Sequence, residues 1–281
     1  MGFGYSTRVF GELVFNTGMV GYPETLTDPS YSGQILTLTY PLVGNYGVPD
    51  PSIKDQDGIP KFFESERIQA RGLVVHDLSM VASHWSMSMT LDEWMNKENI
   101  PGISGIDTRE LTKKLRSSGV MMAALVVSSK EIDEEEIKKQ LLSAQDYNSE
   151  TFMDMVSTKE DQVFGKEKQT VVVIDTGVKN AIIRNLRNIG YKVIKVPWNT
   201  SIEKILSYKP RGVVISNGPG DPQKRGSSSG VFPGARMAGG DRRSCRLPVC
   251  LSQRSAAVCP KQRQRGYNRP GYRRADPAQR V

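Results

Sequence analysis

The chain has 281 residues, room for one large domain or two of ordinary size, and a net charge of +8 from 38 basic and 30 acidic residues. No apolar run approaches the roughly 18 residues that would cross a membrane, and the first residues lack a secretory-signal pattern. All three cysteines lie beyond residue 244, so the body of the chain is not a disulfide scaffold and fits the cytoplasm.

Residues 1–60 alternate short apolar runs with turn residues, and Val14–Phe15 and Ile35 to Leu38 read as strands between the Tyr22-Pro23, Asp28-Pro29 and Gly44-Asn45 turns. GLVVHDLS (72–79) reads as one further strand. TLDEWMNKENI (90–100) and DTRELTKKLRSSG (107–119) read as helices, the second capped by Asp107 with Glu110 as reciprocal partner and stopped by Gly119. VMMAALVVS is a strand. The stretch 131–145 is a solvated helix with Ile137, Leu141 and Leu142 on its inner side. Residues 1–156 therefore form a mixed α+β domain, and the charged segment 157–169 reads as a linker.

Beyond the linker the pattern changes. TVVVID (170–175) is a continuous β-branched run, as a strand buried on both faces requires. NAIIRNLRNIG places Ile182, Ile183, Leu186 and Ile189 on one helical stripe, ended by Gly190. KVIKVP, SIEKILSY and RGVVISNG follow as strand, helix and strand. This β-α-β-α-β run over 170–222 predicts the opening of a doubly wound parallel sheet, an incomplete α/β domain following the α+β one. Ligand sites in such sheets lie at the carboxyl ends of strands, which is where SNGPGDP (216–222) falls.

Composition switches abruptly after Pro222. Residues 223–281 hold 14 basic residues, 12 of them Arg, against Asp241 and Asp276, whereas residues 1–222 hold 24 basic and 28 acidic ones. Isoleucine is absent from this tail, and both histidines, His76 and His84, precede it. Such a segment, with Tyr267 and Tyr272 among arginines, could bind nucleic acid through charge and stacking. The simultaneous change in Lys/Arg, Ile and Cys usage favours a frame-shifted stretch, which makes a nucleic-acid partner the weaker reading.

The strings GELVFNTGMVGYPETLTDPSYSGQILTLTYPLVGNYG, GISGIDTRELTKKLR, DTGVKNAIIRNL and SNGPGDP resemble the small, glutamine-hydrolysing subunit of carbamoyl phosphate synthase, from about residue 5 to 222. The last two strings are shared more widely among class I glutamine amidotransferases. The family has one more strand ahead of this start. The resemblance implies glutamine as substrate, a thiolate nucleophile with a His–Glu pair, and a large-subunit partner that uses the ammonia with ATP and magnesium. Those cofactors belong to the partner; this subunit needs no cofactor or metal. The products would serve arginine and pyrimidine biosynthesis.

The resemblance assigns Ser30, Gly218 and Gly220 to glutamine binding and the Gly218 N–H to an oxyanion hole. Glycines there let backbone N–H groups approach a substrate with no Cβ in the way. The nucleophile should lie in a Gly-x-Cys-x-Gly elbow, and the nearest string is LPVCLSQ (247–253), which makes Cys250 the candidate. Pro248 and Ser252 stand where the elbow needs glycine, and no histidine follows Cys250 to serve as base. The expectation is a small subunit that has lost its glutaminase activity, with a non-catalytic assembly role as the alternative. His76 reads as structural, and Asp107, Arg109 and Lys113 as a capped, solvated helix face.

Overall fold

The computed structural model describes residues 1–144 and 147–220, together with the backbone of Val249–Leu251. The first unit runs β1 (Gly2–Gly4), β2 (Arg8–Asn16), α1 (Tyr22–Leu26), β3 (Gln34–Leu38), β4 (Leu42–Val43), β5 (Val48–Pro49), β6 (Gly72–Val74), β7 (Asp77–Leu78) and β8 (Met87–Met89). It continues through α2 (Leu91–Lys97), β9 (Pro101–Ile103), α3 (Thr108–Ser118), β10 (Met121–Val126), α4 (Glu134–Ser143) and α5 (Met153–Val156). Six strands form one sheet in the order β1-β9-β6-β3-β2-β10. The central four, β9, β6, β3 and β2, are parallel, and β1 and β10 pair antiparallel at the edges.

The pleat divides the core of this unit. Ile35 points to one face with Leu13, Val74, Leu115 and Leu125, while its neighbours Leu36 and Leu38 point to the other with Leu73, Trp94 and Met95. The reciprocal capping box forms at α2, where Thr90 and Glu93 exchange side-chain and backbone bonds. At α3 Asp107 accepts from the Glu110 N–H at 2.8 Å, but the Glu110 carboxylate turns to Lys113 at 3.0 Å. GLVVHDLS is two strands rather than one: after β6 the Val75 N–H bonds to Ile103 O, and the Asp77 N–H to Pro41 O, moving the chain into a separate pairing of β7 with β4. On α4 Ile137 and Leu141 are partly covered, whereas Leu142 is exposed, one residue off the inner stripe. Gln145 lies outside the described residues.

The second unit runs β11 (Gln162–Phe164), β12 (Thr170–Asp175), α6 (Asn180–Asn188), β13 (Lys192–Pro197), α7 (Ile202–Ser207), β14 (Gly212–Ile215) and β15 (Val249–Leu251). The sheet order is β11-β13-β12-β14-β15, with β13, β12, β14 and β15 parallel. β12 is buried along nearly its whole length, as its run of valines requires. Ile183 and Leu186 of α6 are buried against Val171, Val173 and Val193, but Ile189 lies beyond the last turn and is exposed. The segment expected as a linker contributes β11, antiparallel to β13, because Phe164 packs onto the α6 side of the core.

The two units are joined through α6. Its N-terminal residue Lys179 makes no side-chain cap. The first N–H groups go instead to Glu64 of the first unit: Asn180 N–H to the Glu64 carbonyl at 2.9 Å, and Ala181 N–H to its carboxylate at 2.8 Å. A carboxylate at a helix N-terminus meets the orphan donors and the positive end of the dipole together. Arg184 donates to Pro60 O at 2.8 Å. Arg187, 9% exposed, pairs with Asp57 at 3.0 Å and with Glu167.

Candidate functional site

Two loops leave the carboxyl ends of neighbouring parallel strands, residues 176–178 after β12 and 216–220 after β14. Their hydroxyls lace them together. The Thr176 N–H donates to Ser216 Oγ at 3.0 Å, and Thr176 Oγ1 donates to the Ser216 carbonyl at 2.7 Å, both inside the protein. Asp175, buried at the end of β12, accepts from the Gly177 and Val178 N–H groups at 3.0 and 2.9 Å through one carboxylate oxygen. The other oxygen accepts from the Thr158 N–H at 2.8 Å. Each loop is thus held by its own strand end and by its neighbour.

Gly218 is required by this packing. A Cβ built on it would lie 1.6 Å from the Thr176 carbonyl oxygen, a backbone atom that cannot move aside. Gly177 and Gly220 adopt φ of +110° and +82°, the region open to glycine. A Cβ on Gly177 would meet Pro219, Gly218 and Pro29 at 3.1 to 3.2 Å, so the first unit reaches the same place.

The first unit delivers Ser30 to these loops. Asp28 starts a short 3-10 turn, Pro29–Tyr31, and accepts from the Ser30 N–H at 3.0 Å. Its carboxylate also pairs with Lys179 of the second unit. Ser30 Oγ then accepts from Asn217 Nδ2 at 3.1 Å. Beside it, burial pushes the Tyr31 phenol above its usual pKa, and its oxygen accepts from Asn16 Nδ2 at 3.0 Å. Ser30, Gly218 and Gly220, three residues singled out from sequence, therefore lie at one junction. Asn217, Thr176, Asp28 and Lys179 were not singled out. The signal for Thr176 and Asn217 was a hydroxyl or amide just past a buried strand, Asp28-Pro29 read as an ordinary turn, and Lys179 carried no signal of its own.

Cys250 sits within β15, the strand beside β14, in register with Val214. Its side chain and everything after Leu251 lie outside the described residues. The histidines are elsewhere: His76 Nδ1 is 3.0 Å from Ile106 O, and His84 Nδ1 is 2.7 Å from Ser86 Oγ, both exposed on the first unit. Among the described residues no His, Cys, Asp and Glu cluster is arranged to hold a metal ion, and no helix is long and apolar enough to cross a membrane.

The second unit is thus a mostly parallel α/β sheet with a Gly-Pro-Gly turn at the carboxyl end of β14, and the α+β unit brings Ser30 to that loop. Residues 172–257 match the family profile of class I glutamine amidotransferases, a stretch that includes Cys250. Residues 1–125 match that of the carbamoyl-phosphate synthase small chain, CPSase domain. The chain belongs to the carbamoyl phosphate synthase small-chain family. It is 48% identical over 223 residues to the carbamoyl phosphate synthase small chain of Pyrococcus furiosus, covering 78% of this chain and 59% of that one. The small chains of Methanococcus maripaludis and Sulfolobus acidocaldarius are 47% and 46% identical over 227 and 225 residues, each covering 79% of this chain and 57% and 58% of their own length. The chain thus spans a little under three fifths of the relatives that it matches.

Proposed function

We propose that the chain is the glutamine-binding subunit of a glutamine-dependent carbamoyl phosphate synthase, acting with a large chain that uses ammonia, bicarbonate and ATP. The observation that carries this reading is the hydrogen bond between Ser30 and Asn217, which sets a hydroxyl from the first unit against the Gly218 turn. In that arrangement the turn's backbone N–H groups and the Ser30 hydroxyl bind the substrate, and the Gly218 N–H faces the oxyanion formed when the amide carbonyl is attacked.

Attack needs a thiolate, a base that takes and returns its proton, and that anion pocket. The pocket's two loops are present, Cys250 lies in β15 beside β14, and both histidines belong to the first unit. The reading is therefore of glutamine binding with glutaminase activity lost. Purified chain should bind glutamine by calorimetry and release no ammonia from it. Ammonia release that Cys250→Ser abolishes would overturn the loss of activity, and absence of glutamine binding would overturn the reading of the site.

A further inference from the structure

The sheet of the first unit ends in a groove whose lining includes neither Ser30 nor the Gly218 loop. Thr17, Thr39 and His76 line it from the carboxyl ends of the parallel strands β2, β3 and β6, and α3 completes it. Its volume is about 610 Å³, the size of a small-molecule site. The carboxyl ends of parallel strands are where open α/β sheets place their ligands.

The hydrogen-bonding groups of this groove are left over. Thr108, only 2% exposed, lines it at the first turn of α3, and its hydroxyl forms no hydrogen bond among the described residues. The Thr17 and Thr39 hydroxyls form none either. The Thr108 and Arg109 N–H groups, the first two of the helix, have no acceptor among the described residues, because the Asp107 carboxylate takes the Glu110 N–H. A buried hydroxyl without a partner is costly, so an acceptor brought to it is favoured.

Charge points the same way. Arg109, Lys113 and Arg116 recur at i, i+4 and i+7 on α3, and all three line the groove. Lys113 is shared with Glu110, whereas Arg109 and Arg116 form no ion pair among the described residues. Asp107 is the one carboxylate in the lining, and it is committed to capping α3. The face that reads from sequence as merely solvated thus shares a cavity with unsatisfied hydroxyls. Two N–H groups, three hydroxyls and two guanidiniums outnumber the two oxygens of a carboxylate. A phosphoryl group has more oxygens, fits the guanidinium fork and suits a helix N-terminus.

We propose that this groove binds a phosphate-bearing small molecule, whose oxygens accept from the Thr108 hydroxyl, the first N–H groups of α3 and the Arg109 and Arg116 guanidiniums. The site is independent of the glutamine-binding reading.

Calorimetry on the purified full chain at low salt tests this, with inorganic pyrophosphate as probe and succinate as the carboxylate comparison. Pyrophosphate should bind one-to-one and more tightly than succinate. Arg109→Gln/Arg116→Gln should weaken it by about tenfold or more, and Thr108→Val by a smaller factor. Both arginines are exposed, so the double variant should keep the wild-type melting temperature and glutamine binding. Lys138→Gln/Lys139→Gln, on the exposed face of α4, should leave pyrophosphate affinity unchanged. Binding that survives in the arginine variant would put the anion elsewhere, residues 223–281 included, and overturn the proposal. An equal loss in the α4 variant would mark a diffuse charge effect and overturn it too. Equal affinity for succinate would overturn the phosphate class, and the absence of saturable binding would overturn the site.

Discussion

Ser30 and Asn217 stand 187 positions apart in the chain and share a 3.1 Å hydrogen bond, the hydroxyl oxygen of one accepting from the amide nitrogen of the other. A partly buried bond between neutral groups contributes about 1 kcal/mol to stability. Ser30→Ala and Asn217→Ala should therefore each lower stability only modestly in urea unfolding. Calorimetric glutamine binding should weaken in both, because the bond places the hydroxyl against the Gly218 turn. Undiminished binding in both variants would show that the bond is structural alone.

Gly218→Ala puts a methyl group into the Thr176 carbonyl, with backbone on both sides of the clash. Forced overpacking of this kind costs about 1–3 kcal/mol, and the loops must part to relieve it. Gly190→Ala offers the comparison: φ is +88°, but nothing lies within 4 Å of the added carbon. Its cost should be near 1 kcal/mol, from left-handed backbone strain alone. Denaturant midpoints measure both, and only Gly218→Ala should also disturb glutamine binding.

Glu64→Ala removes the carboxylate that receives the Ala181 N–H and faces Arg184 at 3.6 Å. Loss of a helix cap costs about 1–2 kcal/mol. Because the cap comes from the other unit, protease cleavage near the seam should rise along with the fall in unfolding midpoint. A variant with lower stability but unchanged cleavage would mean that the seam survives without the cap.

Burial, reinforced by the neighbouring Glu64 carboxylate, raises the pKa of the Glu24 carboxyl above its usual value. The folded state therefore holds its proton to higher pH than the unfolded state does. Ionisation opposes folding once pH rises past the unfolded value near ~4.3, and below that both states are protonated and the effect vanishes. Glu24→Gln should raise the melting temperature at pH 7, with the gain shrinking to nothing towards pH ~4. A gain that persists unchanged at pH 3 would assign it to packing instead.

Strands and helices with strong local patterns were readable from single segments. β12 matches its valine run residue for residue, and α2 and α3 begin after Thr90 and Asp107. Departures came where a distant partner decided the outcome. Asp77 N–H, taken by Pro41 O, drew the chain after β6 into a second pairing with β4. Phe164, packed on the α6 side of the core, turned part of the linker into an edge strand. Ile189 was left outside because it lies beyond the last turn of α6, and Leu142 because it falls one residue off the stripe of Ile137 and Leu141.

The amino-acid sequence by itself determined the glycines at 177, 218 and 220, since backbone geometry that excludes a Cβ can be met by one residue type alone. It also determined the alternation that sends Ile35 and Leu36 to opposite cores. Only the tertiary structure decided that Ser30 faces Asn217, that Glu64 caps a helix in the other unit, and that Asp28 holds Lys179. Those are contacts between polar groups far apart in the chain, each weak in water. They acquire a fixed geometry only when two packed units exclude the solvent that would otherwise satisfy them.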